Sequence, residues 1–382
     1  MATESGLSVW PSPAGKNAGE AFLATHNGKL YFSWVESESR HKGRLKLAVH
    51  DGGDWKAVET VHASDRMFIN WADIPMVAVT DELIVVAWLE MLGSGIYDYG
   101  IRYVWAVPEP EGRHTWSQPA WLHDDRTPAE HGFVAMAPNS HDSILAIWLD
   151  GRAMAGSHGH GSGSMQLRSR VIRRSGLSPE ALVDNNTCEC CSTFLLPAGD
   201  GFVAAYRDKT EDHIRDIHLA RWQEGRWQSQ GPVHQDGWEI QGCPVNGPAM
   251  AKAGENLAVA WFTAADNRPT IQVSVLDGKH GKAHWSKSHP NVLGRMSLAA
   301  LDRDRLAVSW VAVEENRALV KLLLLQYQGQ TLKPLGKERV VEQLPDGRDG
   351  GVPKMVVFGD HLLIAHLSGA REGIVLSALP RN

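Results

Sequence analysis

Ile144-Leu145-Ala146-Ile147-Trp148-Leu149-Asp150-Gly151-Arg152 is a short β-rich run that closes on an aromatic residue and passes into a polar turn. The same arrangement recurs at residues 30–37 around Trp34, 83–90 around Trp88 and 201–208 around Tyr206. It returns at 257–264 around Trp261, 306–313 around Trp310 and 362–369 around His366. Successive anchors lie 49 to 60 residues apart. That period is slightly above the roughly 40–50 residues of a propeller blade. Seven anchors imply seven units.

Each unit has further shared parts. An apolar run precedes the anchor strand across a turn such as His26-Asn27-Gly28, Thr80-Asp81 or Ala253-Gly254-Glu255. A second tryptophan often follows a glycine-containing turn, as at Trp55, Trp116, Trp227 and Trp285. Such runs bounded by Gly, Asn and Asp are strand signals, and no segment carries a helical period. Four strands per unit follow, termed A to D, with the anchor on B. The last unit, 354–380, has room for only three, and Leu7-Ser8-Val9-Trp10 supplies the fourth. Pairing the chain start into the last blade removes an open edge. The expectation is therefore an all-β, seven-bladed β-propeller occupying 1–382 as a single domain. Six blades are the fallback, and a pair of β-sandwiches is the competing architecture.

Trp148-Leu149-Asp150-Gly151-Arg152, together with the degenerate Asp-box-like turn Asp51-Gly52-Gly53-Asp54-Trp55, resembles the sialidase-like (BNR/Asp-box) β-propeller superfamily. The likeness is a loose pattern over nearly the whole chain, and no stretch completes a Ser-x-Asp-x-Gly-x-x-Trp box. It implies a glycoside hydrolase with an arginine triad on a substrate carboxylate, a Tyr–Glu nucleophile pair and an Asp acid/base. Bidentate Arg suits a carboxylate, and paired carboxyl groups suit glycosidic cleavage. Asp150, Arg152, Arg207 and Arg348 are the residues available for it, with Glu90, Asp208 and Asp266 as further acids and Tyr97 and Tyr99 as the tyrosines, while Asp150 and Arg152 suit equally a salt bridge closing their B–C turn. The Arg-Ile-Pro signature of the first arginine is absent.

Hydrophobic residues make up 43% and charged residues 21%, the composition of a globular chain with a large core. A formal charge of -6 lacks the basic footprint that nucleic acid requires. No apolar run approaches the roughly 18 residues of a membrane span. The opening Met-Ala-Thr-Glu-Ser-Gly shows no secretory signal. The chain is thus either cytosolic or a mature segment with a new Met.

Blade geometry places the chemistry. In a four-stranded blade the D-to-A crossovers and the B–C loops share one face. Two consecutive crossovers hold all four cysteines: Cys188-Glu189-Cys190-Cys191 and Gly242-Cys243-Pro244. Cys243 is therefore expected to approach the other three. Three readings compete. A structural Zn site normally uses separated pairs, a disulfide framework suits an oxidising compartment, and a Cu(I)-thiolate site tolerates low coordination. Copper is the favoured metal, with Cys188, Cys190, Cys191 and Cys243 as ligands. His131 and Met296 on neighbouring crossovers, and His158 and His160 on a glycine-rich B–C loop, could complete the shell. Asp184 and Glu189 would be outer acceptors.

The expected function is copper handling or oxidative chemistry at the channel mouth, in the periplasm or outside the cell, the compartment following from copper chemistry and fold precedent. The alternatives are the sialidase-like hydrolase and a non-catalytic binding scaffold with disulfide-linked cysteines. Partners would be a metal ion and either a small-molecule substrate or a protein at the propeller face.

Overall fold

The computed structural model describes residues 6–109, 113–154, 163–278, 280–370 and 373–381. Seven antiparallel sheets stand around a common axis, six of them built from consecutive strands. Blade 1 runs through Ala18–His26, Lys29–Ser37, Gly43–His50 and Glu59–Ser64, and blade 2 through Met76–Val79, Ile84–Met91, Tyr99–Ala106 and Ala120–Trp121. Blade 3 holds His131–Ser140, Ser143–Asp150 and Met165–Arg173, whose outer edge pairs with two short segments, Gly176–Leu177 and Ala181–Thr187. Blade 4 comprises Phe194–Ala198, Gly201–Arg207, Ile217–Gln223 and Arg226–Pro232. Blade 5 comprises Ala249–Ala253, Asn256–Thr263, Thr270–Asp277 and His280–Ser288. Blade 6 repeats the split outer edge, with Thr331–Pro334 and Arg339–Gln343 against Arg317–Gln328.

Blade 7 closes the ring. Its strands Lys354–Phe358, His361–Leu367 and Ile374–Pro380 are completed by Ser8–Trp10, in the register Ser8 to Ala378 and Trp10 to Leu376. Trp10 then packs edge-on to Phe358 at 6.0 Å. Among the described residues no helix is long and apolar enough to cross a membrane.

The sequence pattern follows from this geometry. A B strand is covered on both faces, by the blade before and the blade after, so it reads as a continuous apolar run; Ser143–Asp150 is buried at every position. Outer strands such as Glu59–Ser64 meet solvent and alternate. The aromatic anchors Trp34, Trp88, Trp148, Tyr206, Trp261 and Trp310 are each at most 2% exposed. Each fills the seam with the preceding blade: Trp34 lies among Phe358, Leu363 and Leu376 of blade 7, and Trp88 among Leu45 and Leu47 of blade 1. The second tryptophans staple the same seams further out. Trp55 Nε1 donates to the Pro11 carbonyl at 2.9 Å, Trp116 Nε1 to Glu59 at 3.1 Å and Trp227 Nε1 to Ser169 at 2.7 Å.

Trp34→Ala would leave a cavity in the seam that joins the first and last blades. A loss of about 3–5 kcal/mol is expected, read as a lowered midpoint in equilibrium denaturation.

Candidate functional site

The D-to-A crossovers and B–C loops do meet on one face, around a cavity of about 530 Å³. Phe68, Trp71 and Ala72 come from the crossover into blade 2, and Pro128 and Glu130 from that into blade 3. Cys190, Cys243 and Arg348 come from the crossovers into blades 4, 5 and 7. Tyr97 and Tyr99 arrive from the B–C loop of blade 2 and the strand it enters. The wall is aromatic and the polar groups are few.

One proton-bearing pair stands in it. Tyr99 donates its hydroxyl to Glu130 Oε1 at 2.5 Å, and its ring stacks on Phe68 with centroids 3.9 Å apart. Burial pushes the Glu130 carboxyl up to about 7, the Tyr99 hydrogen bond opposes this, and the nearby Glu189 charge adds to it. Burial also drives the Tyr99 hydroxyl well above its ordinary value. The local backbone makes the close approach possible. A Cβ at Gly132 would lie 2.1 Å from Asp73 Oδ2 and 2.9 Å from the Tyr99 ring, so only glycine fits. Asp73 in turn accepts the Phe133 N–H at 2.8 Å, beneath the pair.

The sulfurs lie beside this pair. A turn at Glu189–Cys190 folds Cys188 back toward Cys191, with Sγ atoms 3.4 Å apart, and Cys190 Sγ is 3.9 Å from Cys188. All four cysteines are free thiols. Cys188 and Cys191 are buried, Cys190 is half-buried and Cys243 is exposed. Cys243 approaches Cys190 closely enough for a thiol hydrogen bond. The two crossovers touch because residue 247 is glycine: a Cβ there would sit 2.0 Å from the Ser192 carbonyl. Arg215 donates to Cys188 Sγ at 3.1 Å and to Glu189 at 2.7 Å, and Lys209 pairs with the other Glu189 oxygen. Burial opposes ionisation of Cys188, but hydrogen bonding with Cys190 and Cys191 and the Arg215 charge hold its thiol well below the usual range.

Other residues singled out in the sequence have different work. His131 is fully buried, bonded to the Ala129 carbonyl and Asp125, and stacked on His123 at 4.1 Å. Met296 belongs to the core between blades 5 and 6. His158 and His160 lie outside the described residues. Arg152 closes its turn in a bidentate pair with Asp150, 2.7 Å at both contacts, and reaches Glu180 at 2.9 Å. Burial would raise the Asp150 carboxyl, yet Arg152 and His131 bring it down to about 2. Arg207 is 1% exposed and spends its guanidinium on the carbonyls of Asn246, Arg215 and Phe262. Only Arg348, of the three arginines, lines the cavity. Glu90 pairs with His62 and Arg102 on the blade flank. Asp184 accepts the Tyr206 hydroxyl at 2.7 Å. Asp208, raised to about 7 mainly by burial, lies 3.7 Å from His218. Asp266 pairs loosely with Arg268 in solvent, and Tyr97 is 52% exposed at the rim.

Glu130 and Arg215 are the residues that sequence reading passed over. Glu130 adjoins His131 on a crossover already assigned to the mouth, and strand alternation sends the two side chains opposite ways. Arg215 lies on the B–C loop of the blade that follows the cysteines, so the same loop rule would have found it.

No family model and no curated protein matches the sequence. Solved structures do match it. An ulvan lyase bound to -[GlcA(1-4)Rha3S]- superposes with a TM-score of 0.58 at 10% identity, over 97% of this chain and 95% of that one. The polysaccharide lyase Uly1 gives 0.53 at 10% identity, over 95% and 90%. A sialidase of Trypanosoma rangeli in complex with sialic acid gives 0.48 at 12% identity, over 96% of this chain and 54% of that one. At such identity the likeness is one of fold. The β-propeller expected from the anchor strands is the fold the chain adopts, with a cysteine cluster at its mouth.

Proposed function

We propose that the chain cleaves a glycosidic bond in an acidic saccharide bound at the propeller mouth, with Glu130 carrying the transferred proton and Tyr99 holding its carboxyl in place. The observation that carries this reading is the 2.5 Å Tyr99–Glu130 pair inside an aromatic-walled cavity of about 530 Å³. That volume lies within the roughly 300–1,000 Å³ of small-molecule sites. A carboxyl that keeps its proton to about pH 7 can give it to a leaving oxygen at neutral pH. Trp71, Phe68 and Tyr97 offer flat apolar faces to the sugar ring.

Arg348 is the cationic side chain of the cavity, which suits a carboxylate or sulfate on the substrate. Arg152 and Arg207 are committed elsewhere, so the triad implied by the sialidase resemblance is not assembled among them. This favours a uronate-containing or sulfated chain over a sialoside. The fold shared with lyases, one of them bound to a glucuronate–rhamnose sulfate unit, supports the same substrate class.

Incubation with uronate-containing polysaccharides, followed both by absorbance of unsaturated ends and by reducing-end release, tests the proposal and separates elimination from hydrolysis. Glu130→Gln is expected to lower kcat by about 10²–10⁴-fold. Unchanged turnover in that variant would overturn the reading, and saccharide binding without turnover would favour the scaffold. Activity of the wild type should fall as pH rises through about 7, where Glu130 loses its proton.

Stability carries a matching signature. Glu130 binds its proton more tightly in the folded chain than at its ordinary value of 4.5, so its contribution favours folding at low pH and is lost between 4.5 and about 7. Between pH 5 and pH 8 the wild type should therefore lose more stability than Glu130→Gln. The difference is on the order of 3 kcal/mol, measured by denaturant titration at each pH.

A further inference from the structure

The saccharide reading leaves the sulfurs unused. Cys188, Cys190 and Cys191 present their Sγ atoms within 4.8 Å of one another, and no disulfide joins any of them. A metal about 2.3 Å from three surrounding sulfurs sets those sulfurs about 4 Å apart. The 3.4 Å and 3.9 Å separations are already close to that arrangement. Cys188 and Cys191 stand in the C-x₂-C relation of common metal half-sites, and Cys190, between them in sequence, turns its sulfur to the same centre from the cavity side.

We propose that Cys188, Cys190 and Cys191 bind one Cu(I) ion in a three-sulfur site, with Cys243 outside its coordination shell on the cavity side. The donor set selects the ion. Among the described residues no histidine joins the sulfur group, and His131 is bonded to Ala129 and Asp125. Both Glu189 oxygens are held, by Lys209 and Arg215, and among the described residues no carboxylate joins the sulfur group. Among the described residues the gathered donors are sulfur alone, which suits a soft ion. Cys243 stands beside Cys190 yet falls outside the group of mutually close sulfurs, so a closed tetrahedron of the structural zinc kind is not formed. Three coordination is ordinary for Cu(I) and leaves a thiol next to the ion on the open side.

The surroundings support a charged centre there. Arg215, buried to 4% exposure, donates to Cys188 and offsets thiolate charge that burial would otherwise make costly. The turn is held before any ion arrives. Cys188 N–H donates to the Arg207 carbonyl at 3.0 Å, Thr187 bridges to Asp208, and Gly247 lets the next crossover lie against Ser192. A site with its ligands already gathered loses little ordering entropy on binding.

The test is anaerobic titration of the reduced, full-length protein with Cu(I) in competition with bathocuproine disulfonate, followed by X-ray absorption of the loaded wild type. One Cu(I) per chain and a shell of three sulfurs are expected. Cys188→Ser, Cys190→Ser and Cys191→Ser should each weaken binding more than about 100-fold, since outer partners alone are worth 10–100-fold. Arg215→Leu should weaken it about 10–100-fold, and Cys243→Ser should leave affinity within a few-fold and the three-sulfur shell unchanged. Four sulfurs in the wild-type shell, a Cys243→Ser loss equal to the others, displacement of Cu(I) by Zn(II), or no bound copper would each overturn the proposal. The wild-type spectrum decides even where a variant fails to fold. Glu130→Gln should bind copper normally, which keeps this result separate from the fate of the saccharide reading.

Discussion

The molecule depends on filling the wedge between neighbouring sheets. Twisted blades set around an axis touch near it and splay apart outward, and six of the seven seams carry a large, rigid aromatic side chain at the same depth. Trp34, Trp88, Trp148, Trp261 and Trp310 supply it, with Tyr206 serving blade 4. Because each anchor projects toward the preceding blade, no sheet has a complete core alone. Stability is shared across seams, and the inner crossovers are fixed as a consequence.

Arg207 shows how that constraint reaches the site. Its place at the end of a B strand put it among the arginines expected to meet a substrate, yet it is wholly inside. There it ties the blade 4 loop carrying Arg215 to the crossover carrying Cys243, through the carbonyls of Arg215 and Asn246, while its guanidinium lies over Trp238 at 5.0 Å. A charge in that position acts as a fastener. The close contact of Gly247 with Ser192 completes the junction. Cys243 neighbours the cysteines of the preceding crossover because two backbones can approach without side chains between them.

The period of the anchors was enough to read the ring, its seven blades and the strand borrowed from the chain start, because burial on both faces writes itself as uninterrupted apolar runs. Loop direction was legible for the same reason, and it put both cysteine crossovers on one face. The division of labour among polar residues was legible only in part. Asp150 and Arg152 form the salt bridge that their place in the turn favoured, whereas His131 turns inward and Glu130 turns to the cavity with no sign of it in the sequence. One residue of strand register decides that difference, and it depends on how Gly132 lets Asp73 and Tyr99 crowd the turn. The C-x₂-C relation inside Cys188–Cys191 was likewise obscured by Cys190, whose direction only the folded turn reveals.

Ser8–Trp10 has a kinetic meaning. It is synthesised before every other strand of the propeller, but its partner Ile374–Pro380 emerges last. The pairing spans almost the full sequence, the kind of distant contact that forms slowly. Until it forms, the inner face of Trp34 has no blade 7 to cover it, and the nascent chain carries an apolar seam in waiting. Circularity thus ties formation of the mouth to completion of the last blade, so that a chain cut short within that blade would leave an arc with two sticky ends.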